Sequence, residues 1–381
     1  MGKLKKLLFV LGIIVVAGIS GVVADRYIFP HLAVTKFFAK YAFFKKAAED
    51  VTIINKTEQV FVKEDVSVSK IASQVAPSVV NIISSTGVPA DKKLPASTAI
   101  KNGTGLVATS DGLIMTYASA IFLENAKYKV ITSDNNVYDA TLTNVDSYSN
   151  LAFLKINASN LPAVSFGNSD DVISGQKIIA IGNSSGAYNS FFAAGILGNL
   201  NYVYNLSENA IASSEKMEGV FETDLDRGEN YVGGPIVDYS GQAIGITGTN
   251  MRDGKNVYFQ LQANKIKTVL DKEIRKELGT NPILGIYYLS ITKTYALVNN
   301  LPVESGALIF SPSAQQGLAI IANSSAAKAG LKLNDIIVSV AGEKIDQTHS
   351  LPDLLYKHKK GEQLDLSILR NSLEMTVSVA L

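Results

Sequence analysis

Residues 222–246 read ETDLDRGENYVGGPIVDYSGQAIGI. The glycine pair Gly233-Gly234 leads through Pro235 into the short apolar run Ile236-Val237. A second turn, Tyr239-Ser240-Gly241-Gln242, leads into another apolar run, Ala243 to Ile246. Short β-branched runs separated by a glycine-bearing turn read as a β-hairpin. The adjacent glycines before it form a tight turn. A turn of this kind holds something at its tip, and here the tip carries Val232, which has no proton to give and no lone pair.

The same grammar extends outward. From Ser67 to about Val269, short β-branched runs recur between turn signals: SVVNIIS, TGLVATS, GLIMTYA, YKVITSD, LAFLKI and KIIAIGN. Their spacing predicts an all-β barrel or sandwich. ANKIKTVLDKEIRKELG follows as a helix closed by Gly279, and Asn281-Pro282 marks a boundary. A smaller domain fills residues 280–381. ILGIYYLSI opens it as a strand, SLPDLLYKHKKG is a helix with Pro352 in its first turn, and QLDLSILRN pairs with EMTVSVAL around Asn371.

Before the barrel region, Lys3, Lys5 and Lys6 precede the uncharged run Leu7 to Ala24. As a helix, that run reaches ~27 Å, close to the hydrocarbon thickness of a bilayer. The expectation is a single-pass anchor over residues 1–24 with its amino terminus in the cytoplasm, so that the rest of the chain lies outside. The competing reading is a cleaved signal peptide. Residues 25–66 form a connector. Within it Phe37, Phe38, Tyr41 and Phe44 interleave with lysines at helical spacing, as a helix on the membrane surface or docked on protein. The chain's 381 residues carry 35 basic and 34 acidic groups, which gives no sign of a nucleic-acid partner, and no cysteine, which excludes disulfides and thiolate metal sites. No cofactor is called for.

Four motifs in order carry a family resemblance: GTGLVATSDGLIMT, NLAFLKI, IIAIGNSSGAYNSFFAAGILG and the opening stretch, followed by AGLKLNDIIVSVAG. Residues 67–279 resemble the HtrA (Deg) family of trypsin-like serine proteases, and residues 280–381 resemble the PDZ domain those proteases carry. The resemblance implies a mainly β protein, with two six-stranded antiparallel barrels and then a PDZ domain, preceded by the transmembrane helix.

It also points to positions where chemistry belongs. Such hydrolysis needs a hydroxyl nucleophile, an imidazole to move its proton and a carboxylate to hold the imidazole. The matching positions here are Val232, Ser119 and Asn150, and no histidine occurs from residue 32 to residue 348. Loss of the serine or the histidine alone costs about 10⁶ in turnover, because the set acts as a unit. The family's glycine two residues before the nucleophile is Asn230 here, a residue that tolerates a left-handed backbone. Asp146 is the nearest substitute carboxylate, and Ser213, Ser214 and Lys216 are a weak serine–lysine alternative. Ser184 and Ser185 read as turn formers, and Asp224 and Asp226 carry no aspartic-protease or glycosidase argument. His31 reads as a surface residue, and His349 and His358 read as surface and helix-end residues rather than metal ligands.

By resemblance, the PDZ domain binds the carboxyl terminus of a partner on the backbone of Ile283-Leu284-Gly285-Ile286, beside a helix that carries Leu354 and Leu355. An inserted stretch, about Ala307 to Gly317, is a candidate to extend a strand or cover that groove. The sequence reading is therefore a membrane-anchored HtrA-like pseudoprotease that is not an enzyme. It binds protein segments or carboxyl termini as a scaffold or regulator in envelope protein quality control, alone or in homo- or hetero-trimers with HtrA-type proteins. The alternatives are an active HtrA-like endopeptidase whose triad has been misaligned, and a structural envelope assembly protein.

Overall fold

A computed structural model describes residues 2–24, 28, 68–86, 100–183, 190–206, 211–252, 254–311 and 316–381. The connector helix expected near Phe37 to Phe44 and the residues His31, Ser184 and Ser185 lie outside these. Two compact units are present, Met1–Ser69 and Lys70–Leu381. In the first, Gly2–Val23 is a helix of 22 residues. Phe9, Leu11, Ile14, Val16, Ile19 and Val22 are exposed on all its sides. Among the described residues, no helix is both long and apolar enough to cross a membrane.

The second unit begins with helical residues 70–75 and then forms two closed barrels. The first contains β1 (Val79–Thr86), β2 (Ile100–Val107), β3 (Leu113–Tyr117), β4 (Ala126–Ile131), β5 (Val137–Val145) and β6 (Leu151–Ile156), in the order β1-β2-β3-β6-β5-β4. Val80, Ile82, Val107, Ile114, Val130 and Leu154 fill its interior. β7 (Lys177–Asn183) and β8 (Ser190–Asn205) open the second barrel, and the two-residue β9 (Ala212–Ser213) leaves it. β10 (Glu218–Thr223), β11 (Pro235–Val237), β12 (Ala243–Arg252) and β13 (Lys255–Gln262) complete it, around a core that includes Ile178, Leu197, Phe221 and Ile236. All pairings in both barrels are antiparallel, so the two six-stranded barrels expected from the resemblance are present. The barrels meet where Tyr117 at the end of β3 packs edge-on against Phe259 of β13, with ring centroids 6.1 Å apart.

The helix expected to close at Gly279 ends earlier, spanning Ala263–Ile274. Lys276 turns left-handed with φ +57°. Its N–H donates to the Glu273 carbonyl at 2.9 Å, and the Glu277 N–H reaches back to the Lys272 carbonyl at 2.7 Å. These two bonds satisfy the helix's last carbonyls in a Schellman arrangement, which usually calls for glycine and here uses lysine.

Beyond it lies a single antiparallel sheet of β14 (Tyr287–Ile291), β15 (Gly306–Ile309), β16 (Ile336–Val340), β17 (Glu343–Lys344), β18 (Gln363–Arg370) and β19 (Leu373–Ala380). The strand expected over Ile283 to Ile291 starts only at Tyr287, and the preceding four residues form a loop. The closing hairpin turns through Asn371 and Ser372, both left-handed, as a two-residue hairpin loop requires. The helix expected from Ser350 onward covers Leu351–Tyr356, with Leu351, Leu354 and Leu355 buried in the domain core. β9, which belongs to the barrel chain, is the outermost strand of this sheet, paired antiparallel with β14.

Candidate functional site

The loop before β11 shows what its glycines are for. Gly233 has φ +83°, and a Cβ there would lie 2.2 Å from the Thr104 carbonyl oxygen and 2.4 Å from Thr116 Oγ1. Both neighbours belong to the first barrel, where Thr116 Oγ1 donates to the Thr104 carbonyl at 2.6 Å. The glycine thus lets the loop of one barrel lie against the other. Residues Gly228–Tyr231 form a 3-10 turn, entered from left-handed Arg227. The left-handed positions of this loop are Arg227 and Gly233, and Asn230 is not among them. Its N–H donates to the Arg227 carbonyl at 3.0 Å, within the turn. Val232 is half-buried, with extended backbone at φ −56° and ψ 124°.

Ser119 lies exposed on a short 3-10 turn after β3. Asn150 precedes β6 in a left-handed conformation (φ +58°), and its carbonyl accepts from the Ala118 N–H at 2.8 Å. A side-chain network crosses this position. Lys216 Nζ donates to Asn150 Oδ1 at 3.1 Å and to the Ser147 carbonyl at 2.6 Å. Asn150 Nδ2 donates to the Tyr117 hydroxyl at 3.3 Å, and that hydroxyl donates to Asn250 Oδ1 at 3.1 Å. An amine from the loop before β10 therefore contacts Asn150, the position where the resemblance expects a carboxylate. Asp146 instead holds the loop around it: it accepts from the N–H and hydroxyl of Ser149, from Asn281 Nδ2 and from the Tyr356 hydroxyl. Asp224 accepts from the Ile196 N–H at 2.7 Å, within the second barrel.

Ser213, Ser214 and Lys216 do come together in one turn, but in a different role from the serine–lysine pair considered above. Ser213 Oγ lies 3.1 Å from Glu215 Oε2 and Ser214 Oγ 2.6 Å from Glu215 Oε1. The turn sits against Ile283-Leu284-Gly285-Ile286. The Gly285 N–H donates to Glu215 Oε1 at 2.9 Å. The Ile286 N–H donates to Ser214 Oγ at 3.1 Å, and the Ser214 N–H donates to the Ile286 carbonyl at 3.1 Å. Gly285 has φ +81°, and a Cβ there would meet Ser324 Cβ at 2.4 Å, so the loop that offers these amides depends on glycine.

Among the six residues proposed for peptide contact, the side chains of Leu284, Ile286, Leu354 and Leu355 are buried and Ile283 is exposed. Leu355 and Ile283 face a cavity of about 160 Å³ that Ser214, Glu215, Pro352 and Tyr356 also line. The stretch near Ala307, expected to extend a strand or cover the groove, forms β15 inside the sheet, and its residues 312–315 lie outside the described ones. Glu215 has no signal in the sequence, because one acidic residue in a polar loop shows nothing of the sheet edge it reaches.

Barrel and sheet are joined by a buried polar network. Lys265 Nζ lies 2.7 Å from Asp353 Oδ2, with about a tenth of each side chain exposed. Asp353 also accepts from the Tyr148 hydroxyl, and the Tyr148 ring stacks on Tyr356 at 3.9 Å. Glu218 accepts from the Tyr288 hydroxyl at 2.6 Å and from the Ser290 hydroxyl. Burial pushes the Glu218 carboxyl above the usual carboxylate range, against those two hydrogen bonds, which hold it down. Burial likewise raises the Tyr148 and Tyr288 hydroxyls well above the usual tyrosine value, with nearby carboxylates adding to the shift. His349 lies beside Asp346 and His358 beside Glu362, and no cluster among the described residues has three metal-binding groups.

Residues 103–246 match the trypsin-like peptidase domain and residues 292–381 the PDZ domain. The chain is 27% identical over 300 residues to a probable periplasmic serine endoprotease DegP-like of Chlamydia pneumoniae, covering 77% of this chain and 58% of that protein. It is 29% identical over 282 residues to serine protease Do-like HtrA of Bacillus subtilis, covering 68% and 61%. The chain thus spans about three-fifths of the length of these curated relatives. Among solved structures, HtrA-type protease AlgW with tripeptide superposes with a TM-score of 0.63 at 20% identity, over 82% of this chain and 95% of that one. The same protease with decapeptide gives 0.58 at 19% identity, over 82% and 97%. At that identity the likeness concerns the fold.

The relatives are named as serine proteases, which overturns the expectation that the chain is no enzyme. That expectation rested on Ser119, Asn150 and Val232, read position by position, and on the absence of histidine from residue 32 to residue 348. Sequence positions alone do not show which groups the loops bring together, such as the Lys216 amine beside Asn150. The chain thus carries a match to a trypsin-like peptidase domain followed by a match to a PDZ domain, and it is similar along most of its length to HtrA-type serine proteases.

Proposed function

We propose that this chain engages polypeptides outside the cytoplasm as an HtrA-like protease, with its PDZ groove taking the carboxyl-terminal end of a protein or peptide. One observation carries the groove reading. The amides of Gly285 and Ile286 point at a carboxylate and a hydroxyl, beside the edge strand β14 to which an extended segment has been added. Backbone amides that hold an anion, next to an edge that accepts a strand, are the two requirements for capturing a peptide terminus.

Endoproteolysis is the activity named for the relatives, and it is carried to this chain as the reaction to assay. An extracytoplasmic setting agrees with the periplasmic name of one relative. Attachment to a membrane through Leu7 to Ala24 agrees with the apolar side chains exposed all around the helix over residues 9–23. Trimers, of this chain alone or with other HtrA-type proteins, are the assembly that the family resemblance suggests.

The test uses the full chain in detergent and a fluorescent peptide with a free carboxyl terminus, compared with its amide. The expected result is binding of the acid and at least a tenfold loss with the amide. Equal binding of both contradicts the groove reading and favours an assembly surface instead. Casein digestion by the same preparation, repeated with Ser119→Ala and Lys216→Met, reads the barrel. Digestion that either substitution abolishes assigns the reaction to the groups around Asn150, and digestion that neither affects assigns it elsewhere.

A further inference from the structure

The PDZ groove is already filled by the chain's own residues. The segment Ala212 to Glu215 leaves the second barrel and pairs antiparallel with β14, Ser213 opposite Tyr287 and Ala212 opposite Tyr288. The Ser214 N–H then donates to the Ile286 carbonyl, extending the ladder to the loop. There the backbone of a peptide would stop and its terminal carboxylate would begin. In this chain the backbone continues, and the Glu215 side chain supplies the carboxylate, with Oε1 2.9 Å from the Gly285 nitrogen. We propose that residues 212–215 are an internal ligand of the PDZ groove, with Glu215 in place of a terminal carboxylate, and that an external peptide binds by displacing them. The proposal rests on the reading of this groove as a peptide site.

The position of the segment gives displacement a consequence. Lys216, the next residue, donates to Asn150 Oδ1 and to the Ser147 carbonyl, and the Met217 N–H donates to the Tyr148 carbonyl at 2.9 Å. Pulling residues 212–215 off β14 strains or breaks these bonds. The tether from Lys216 through Asn150 to Tyr117 therefore connects occupancy of the groove to the region where the two barrels meet. A tethered segment competes at a high effective concentration, so an external peptide binds weakly until the tethered one is loosened. Its apparent affinity scales with the fraction of molecules whose groove is open.

The experiment exploits the absence of native cysteine. Ser213 and Tyr287 face each other between hydrogen-bonded pairs of the ladder. Such a non-hydrogen-bonded pair has Cα atoms about 4.5 Å apart, a separation that a disulfide spans. The full chain with Ser213→Cys and Tyr287→Cys is oxidised without peptide. Anisotropy then follows a labelled decapeptide equal to residues 205–214 with a free carboxyl terminus. The expected result is spontaneous crosslinking, no peptide binding while oxidised, and binding restored by reduction. In the cysteine-free chain, Glu215→Ala is expected to tighten the same peptide about tenfold, by raising the open fraction. Failure of the pair to crosslink overturns the internal ligand. Crosslinking with equal binding in both redox states overturns the competition while leaving the peptide site intact. Crosslinking with no binding in the reduced pair or in Glu215→Ala overturns the peptide-site reading itself, and the displacement falls with it.

Discussion

At the scale of single residues, Gly233 decides more than the valine beside it. Its positive φ and the 2.2 Å approach that a Cβ would make to the Thr104 carbonyl leave no room for a side chain. Gly233→Ala is expected to destabilise the chain by about 3 kcal/mol, combining backbone strain with a clash against a rigid strand. Urea denaturation measures this. Glu218 gives a second prediction. Its carboxyl is raised in the folded chain by burial, so folding favours its protonated form. The stability this group contributes is complete below the unfolded carboxylate value and is lost as pH rises through the higher folded value. Compared with Glu218→Gln, which cannot ionise, the wild-type chain should therefore lose stability as pH rises above the ordinary glutamate value of about 4.3. The melting temperatures of the two chains across that range give the difference, and parallel curves would contradict it. The bend at Gly233 was legible in the sequence, because a glycine pair before Pro235 and a short apolar run marks a tight turn. Glu215 was not legible, because its meaning depends on a strand some seventy residues away.

At the scale of elements, barrel and sheet hold together through charges largely withdrawn from water. Lys265 comes from the helix Ala263–Ile274 and Asp353 from the helix Leu351–Tyr356, so one ion pair ties two elements to each other. Replacing one partner leaves the other buried and uncompensated. Lys265→Met is expected to cost about 3 kcal/mol, whereas the double replacement Lys265→Met with Asp353→Leu should recover most of it. A double-mutant cycle by urea denaturation checks both numbers, and full additivity would show that the pair does not interact. The strands were legible as runs of β-branched residues. The helix end at Ile274 was not, because lysine rather than glycine takes the left-handed position there. Tertiary packing and local hydrogen bonding outweighed the residue preference on which the sequence reading relied.

At the scale of the whole molecule, four ordered motifs made both barrels and the PDZ domain legible, since each repeats the period and turn chemistry its fold demands. The way the two parts engage was not legible. β9 has only two residues, and no pattern of so short a run distinguishes a loop from a strand that completes another domain's sheet. Yet this strand makes the molecule one system, with the groove on one side and the Lys216–Asn150 contact on the other. Hydrogen exchange over residues 211–217 of the full chain, with and without a free-acid peptide, tests that claim most directly. The account predicts that the Ser214 amide is protected in the free protein and exchanges at least tenfold faster once peptide fills the groove. Rapid exchange without peptide, or protection that saturating peptide leaves unchanged, would contradict it.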